Sequence, residues 1–125
     1  MRKRTVIASF TVILALSLLV ACGTGAINAV KNTEIKTLFE KSGKTYGEVL
    51  DKYCSSTKWR TFESGYLTII EFSGKTPDGK SVVIQWLDKP DADHNVCWAW
   101  SLDGKEQDIV LGFTNWAMKA AKAKG

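Results

Sequence analysis

The chain has 125 residues, 45% of them hydrophobic and 24% charged, which suffices for one small globular domain and excludes a multidomain assembly. Its formal charge of +4 misleads: of 17 basic residues, Arg2, Lys3 and Arg4 stand at the N-terminus, and the other 14 nearly balance the 13 acids. Nucleic acid is therefore not an expected partner, because the one basic cluster, Lys119, Lys122 and Lys124, also suits the end of a helix, where cations complement the dipole.

Arg2, Lys3 and Arg4 precede an uncharged run from Thr5 to Val20 rich in Val, Ile, Leu, Ala and Phe, the layout of a secretory signal peptide. Leu19-Val20-Ala21-Cys22 closes that run as a lipobox, with leucine three positions before the cysteine and a small residue just before it. The expectation is that residues 1–21 are removed and that Cys22 is acylated, leaving 104 residues held on a membrane by lipid. An uncleaved spanning helix is the alternative, since no charge appears between Arg4 and Lys31. Gly23, Thr24, Gly25 and Asn28 dilute the second half of that stretch and favour a tether. Gly23, where an Asp would hold a lipoprotein at the inner membrane, favours the outer membrane of a cell that has two.

Residues 22–40 read as a lipidated tether with a possible short strand around Thr33 to Leu38, and residues 41–125 as a single domain. Thr45-Tyr46-Gly47-Glu48 has the form of a capping box, and Tyr46, Val49, Leu50, Tyr53 and Cys54 follow at helical spacing. Trp59 and Phe62 then open an extended segment. Tyr66 to Phe72, Ser81 to Leu87 and Val96 to Leu102 are rich in β-branched and aromatic residues and are separated by turn formers, Pro77-Asp78-Gly79 and Pro90 to Asn95. After Asp103-Gly104, the positions Ile109, Phe113, Trp116 and Ala120 predict a C-terminal helix. The fold class is α+β: a three- to four-stranded antiparallel sheet flanked by a short N-terminal helix and a C-terminal helix.

Cys54 and Cys97 remain once Cys22 is assigned to lipid, and an even pair in an oxidising compartment predicts a disulfide. Such a bridge would contribute at most roughly 4 kcal/mol by chain entropy. With Cys97 turned toward the first helix, strand alternation places Val96, Trp98, Trp100 and Leu102 on the opposite face. Trp98 and Trp100 thus become candidates for partner binding, unless the C-terminal helix covers them through Phe113 and Trp116.

The only histidine, His94, sits in an acidic loop with Asp91 and Asp93. Two adjacent ligands and a third at i−3 do not close a coordination sphere, so no metal is expected, and the loop is a second candidate contact surface. No nucleophile triad, phosphate-binding glycine loop or HExxH motif is present, no cofactor is implied, and enzymatic activity is not expected.

At Thr45-Tyr46-Gly47-Glu48-Val49-Leu50-Asp51, then Cys54, Trp59, Phe62 and Ile70-Glu71-Phe72, the chain resembles a group of small uncharacterised bacterial lipoproteins of the enterobacterial type. Their pattern runs roughly Thr-x-Gly-x-Ala-Leu-Asp, an aromatic and a Cys, Trp-x-x-Phe, then a Val-Glu-Phe strand. Val49 departs from it. The resemblance spans the middle third of the mature chain and implies an envelope location with no catalytic residues. As a small helix-plus-sheet lipoprotein it is also similar in outline to outer-membrane assembly lipoproteins of the BamE type, an analogy of fold alone. The expected role is an envelope-anchored interaction module for a protein or envelope polymer. An inhibitor of a secreted hydrolase, or a surface-exclusion lipoprotein presenting the Pro90 to Asn95 loop, is the alternative.

Overall fold

The computed structural model describes residues 24–123 with the exception of Pro90. The signal-peptide and Cys22 expectations lie outside the described residues. The architecture is α+β. Its elements run α1 (Thr24–Lys31), β1 (Glu34–Lys36), β2 (Lys41–Thr45), α2 (Tyr46–Tyr53), β3 (Ser55–Ser64), β4 (Leu67–Lys75), β5 (Ser81–Leu87), β6 (Ala99–Leu102), β7 (Lys105–Glu106) and α3 (Gly112–Ala123). Among the described residues no helix is long and apolar enough to cross a membrane.

Strands β3 to β7 form one antiparallel sheet in sequence order, and β1 with β2 forms a separate hairpin. The sheet has five strands rather than three or four for two local reasons. The segment around Trp59 and Phe62 pairs with β4 over its whole length. Asp103 and Gly104 both take positive φ, 50° and 80°, the two-residue turn that folds β7 back onto β6. The stretch expected to be a tether also differs. Thr24–Lys31 is helical, with Val30 fully buried and Ala26 and Ile27 packed on the core, so the folded unit starts before residue 41.

The predicted capping box is present. The Thr45 hydroxyl accepts from the Glu48 amide at 3.3 Å while Glu48 Oε1 accepts from the Thr45 amide at 2.8 Å. Helix α2 buries Tyr46, Val49 and Leu50 against the sheet. Gly47 is required by proximity: a Cβ there would lie 2.9 Å from the Cβ of Lys31, so α1 crosses α2 at this point. Lys31 reaches on to Asp51 at 3.8 Å and sits 5.3 Å from the Trp59 ring centroid.

Register divides the sheet into two faces. Trp59, Phe72, Ile84 and Trp100 stand level across β3 to β6 and belong to the helix-covered core. Trp86 is its centre. Its ring stacks on Trp59 at 5.9 Å and meets Tyr46 and Phe113 edge-on at 5.8 and 6.0 Å, and its Nε1 donates to the His94 carbonyl at 2.8 Å. The opposite face carries a small cluster of Phe62 and Ile69 with Leu67, Leu87 and Trp98, and no residue of a described helix joins it. Beside that cluster Arg60, Glu71, Gln85 and Ala99 form one row. Arg60 Nε donates to Glu71 Oε1 at 2.7 Å and Gln85 Nε2 to Glu71 Oε2 at 3.2 Å. Burial raises the Glu71 pKa despite both bonds.

Two expectations about the last strand are corrected. Regular β6 starts at Ala99, not Val96, and the two-residue alternation breaks before it. Cys97 consequently shares the helix-covered core with Trp100, whereas Trp98 packs on the other face. The expected disulfide is not seen here: Cys54 and Cys97 are both buried, and no bridge joins them. Cys54 ends α2 beside Gly74, whereas the Trp98 amide bonds Gln85, which is level with Glu71. Three residues of strand, roughly 10 Å, separate those levels, and Cys97 lies farther out still. A bridge requires Cα atoms within about 7 Å. Burial pushes the Cys54 thiol up to about 11, with Asp51 adding to the shift, so it is a poor nucleophile at neutral pH. In a C22S chain, a thiol reagent applied without reductant should titrate both cysteines in denaturant and neither in buffer. Absence of thiols in denaturant would show a bridge.

Candidate functional site

The residues that the sequence nominates do not form one site. Trp100 is core: it is 3% exposed, meets Phe113 at 5.9 Å and Trp116 at 5.5 Å, and donates its Nε1 to the Asp108 carbonyl at 2.9 Å. Trp98 is half-buried on the opposite face, so the two indoles cannot make a shared patch. Asp91 and Asp93 are exposed and His94 half-buried, but the loop that carries them is a brace. Asn95 Oδ1 accepts from the Tyr46 hydroxyl at 2.7 Å and the Lys36 amide at 3.1 Å, while Asn95 Nδ2 donates to the Glu34 carbonyl at 2.9 Å. Among the described residues no three His, Cys, Asp or Glu side chains converge as metal ligands would.

A different surface stands out. Six large hydrophobic side chains are exposed among the described residues, and five of them, Leu38, Phe39, Val96, Val110 and Leu111, line a single groove of about 840 Å³. Only Tyr66, on the β3–β4 turn, lies elsewhere. The groove runs between α3, the tip of the β1–β2 hairpin and the Asp93 to Val96 loop. Such an accumulation of apolar surface in one concavity is the usual mark of a contact site.

Local chemistry fixes both walls. In the hairpin tip the Thr37 amide donates to the Glu40 carbonyl at 2.7 Å, and the Thr37 hydroxyl accepts from the Phe39 and Glu40 amides at 3.2 and 3.0 Å. This closed turn leaves Leu38 94% and Phe39 95% exposed. Across the groove the Asp108 carboxylate accepts from the amides of Leu111 at 3.0 Å and Gly112 at 3.1 Å, capping α3. Those bonds hold the Asp108 pKa below its ordinary value. The cap positions Val110 and Leu111 ahead of the first helical turn, outside the buried stripe of Phe113, Ala117, Ala120 and Ala121. Met118, 5% exposed, lines the groove from α3.

Charge on the rim is mixed, with one more lysine than acid. Lys36, Lys119 and Lys122 line the groove with the acids Glu40 and Asp93. Lys122 Nζ meets Glu40 Oε2 at 2.8 Å and so clips the hairpin tip to the last turn of α3. Lys36 and Lys119 make no ion pair among the described residues. Glu71, the acid with a raised pKa, lies on the sheet face with both oxygens occupied and is not part of the groove.

Sequence reading placed Asp93 and Val96 near a contact surface but missed Leu38, Phe39, Val110 and Leu111. Each pair stands beside a turn, next to Thr37 or Asp108, without a strand or helix period to give it a buried neighbour. That pattern is the signal by which they were recoverable.

Burial lowers the pKa of His94 from its ordinary 6.5, against the pull of Asp88 and Asp93, and its Nδ1 lies 3.3 Å from the Thr33 hydroxyl. The folded imidazole is thus neutral at pH values where the unfolded one binds a proton. Stability should fall as pH drops below 6.5 and level once the folded ring protonates too. Denaturant melts of wild type and His94→Gln between about pH 7 and 5 check this, the variant losing that part of the slope; identical slopes would refute it. Compared with protein-family models, curated proteins and solved structures, the chain matches none.

Proposed function

We propose that the protein is an envelope lipoprotein held on a membrane through Cys22, and that it works as a docking module whose contact surface is the groove between α3 and the β1–β2 tip. The lipobox Leu19-Val20-Ala21-Cys22 supports the anchor, and the resemblance to small bacterial lipoproteins agrees with it. The observation that carries the docking role is the gathering of five of the six exposed large hydrophobic side chains around one groove. Nothing in the core requires them there, because the aromatic cluster around Trp86 is closed without them. Exposed apolar side chains of this extent persist where a partner covers them. The face that carries Trp98 offers no paired-tryptophan surface, because Trp100 is interior. Enzymatic activity is no part of this reading: Glu71, the carboxyl of raised pKa among the described residues, is committed to Arg60 and Gln85.

Photo-crosslinking in intact cells tests both halves of the proposal. A benzophenone amino acid at position 39 or 111 should give a discrete adduct that sediments with membranes. The same group at position 66 should give none, although Tyr66 is fully exposed. Intact mass of the sedimented chain should show acyl chains on Cys22 as its first residue. Equal labelling from all three positions would discard the groove, and an unmodified Cys22 would discard the lipid anchor.

A further inference from the structure

The groove has the chemistry of an amphiphile site, and we infer that its occupant is an anionic phospholipid, an acyl chain lying on the apolar wall and the phosphate meeting the rim lysines Lys36 and Lys119. This deepens the docking proposal and rests on it, since the Cys22 anchor keeps the domain beside a supply of such lipid.

Three observations select this ligand. The apolar wall is aliphatic and phenyl: Leu38, Phe39, Val96, Val110, Leu111 and Met118 bring no side-chain donor or acceptor into the groove. An alkyl chain needs none. Three amides of the hairpin tip are taken up inside the turn, that of Thr37 by the Glu40 carbonyl and those of Phe39 and Glu40 by the Thr37 hydroxyl. Fewer donors are thus left there for an extended peptide to add as a strand. Finally, Lys36 and Lys119 stand on the rim of the same groove without an ion pair among the described residues, whereas Lys122 is engaged by Glu40. Ammonium groups bordering an apolar surface favour an anionic headgroup, and their methylene stems add to the apolar contact. A groove of about 840 Å³ falls within the size range of sites for small amphiphilic molecules.

The test uses the full, acylated protein in nanodiscs containing a phosphatidylglycerol that carries a diazirine on its acyl chain, with the matching phosphatidylcholine as the comparison. Labelled peptides should contain residues 36–40 and 110–119, and phosphatidylglycerol should label more strongly, by roughly fivefold for each lysine that meets the phosphate. A K36E/K119E chain should lose that preference and keep residual labelling. An L38D/L111D chain should lose groove labelling, and its thermal melt should match wild type because both side chains are exposed. Labelling confined to other peptides, or equal labelling by both lipids with no effect of K36E/K119E, would overturn the inference and leave the groove to a protein segment. Intact mass of the same sample separates this from failure of the anchor: an unmodified Cys22 with groove labelling retained refutes the anchor alone.

Discussion

The buried phenol of Tyr46 is the contact on which the arrangement of the molecule depends. Tyr46 opens α2, and its backbone amide donates to the Thr33 carbonyl at 3.0 Å, fixing the entry to β1. Its ring lies parallel to Phe113 of α3 at 5.8 Å and edge-on to Trp86 of β5. Its hydroxyl donates to Asn95, which also holds both ends of β1 through Lys36 and Glu34. A hydroxyl buried without an acceptor costs about 1–3 kcal/mol, so the position of Asn95 is dictated by the ring that needs it. Burial, with smaller contributions from Cys97 and Asp93, drives the Tyr46 pKa far above its ordinary value. The phenol is therefore a protonated donor at neutral pH.

That frame explains why a groove exists at all. The β1–β2 hairpin is too short to be stable alone and is held by Asn95 from one side and by α3 from the other. Lys44 Nζ donates to the Ala121 carbonyl at 2.8 Å and Lys122 pairs with Glu40, so the far end of α3 is fixed to the same hairpin. Between these ties the hairpin tip stands off from α3, and the space between them is the groove. The surface that the proposal assigns to docking is thus set by buried polar contacts, while its own apolar side chains contribute little to holding the fold.

The fold was legible where a local rule had no competitor. The capping box at Thr45 and Glu48, the stripe of α2 and the strands β4 and β5 follow from spacing alone. Cys97 and Trp98 were not legible, because Asn95 and the aromatic core pull the chain out of alternation just before Ala99. Pairing of Cys54 with Cys97 was plausible from compartment and count, whereas sheet register, which sequence spacing does not carry, sets the two at different levels of the sheet. Helix α1 was hidden behind glycines and an asparagine. Its Ala26, Ile27 and Val30 are too few for a periodic signal, and it is tertiary packing on α2 and β3 that makes it a helix. The groove escaped for a related reason: its walls come from three separate segments, and only the tertiary fold brings Phe39 and Leu111 to one concavity.

Tyr46 and Asn95 act as one unit in holding the hairpin against the sheet. A double-mutant cycle of Tyr46→Phe and Asn95→Ala, read by urea unfolding, measures that coupling. The two substitutions should each destabilise the protein, and the double variant should lose less than their sum by about 1 kcal/mol or more. Losses that simply add would mean that the phenol and the amide stabilise the fold independently, not as a unit.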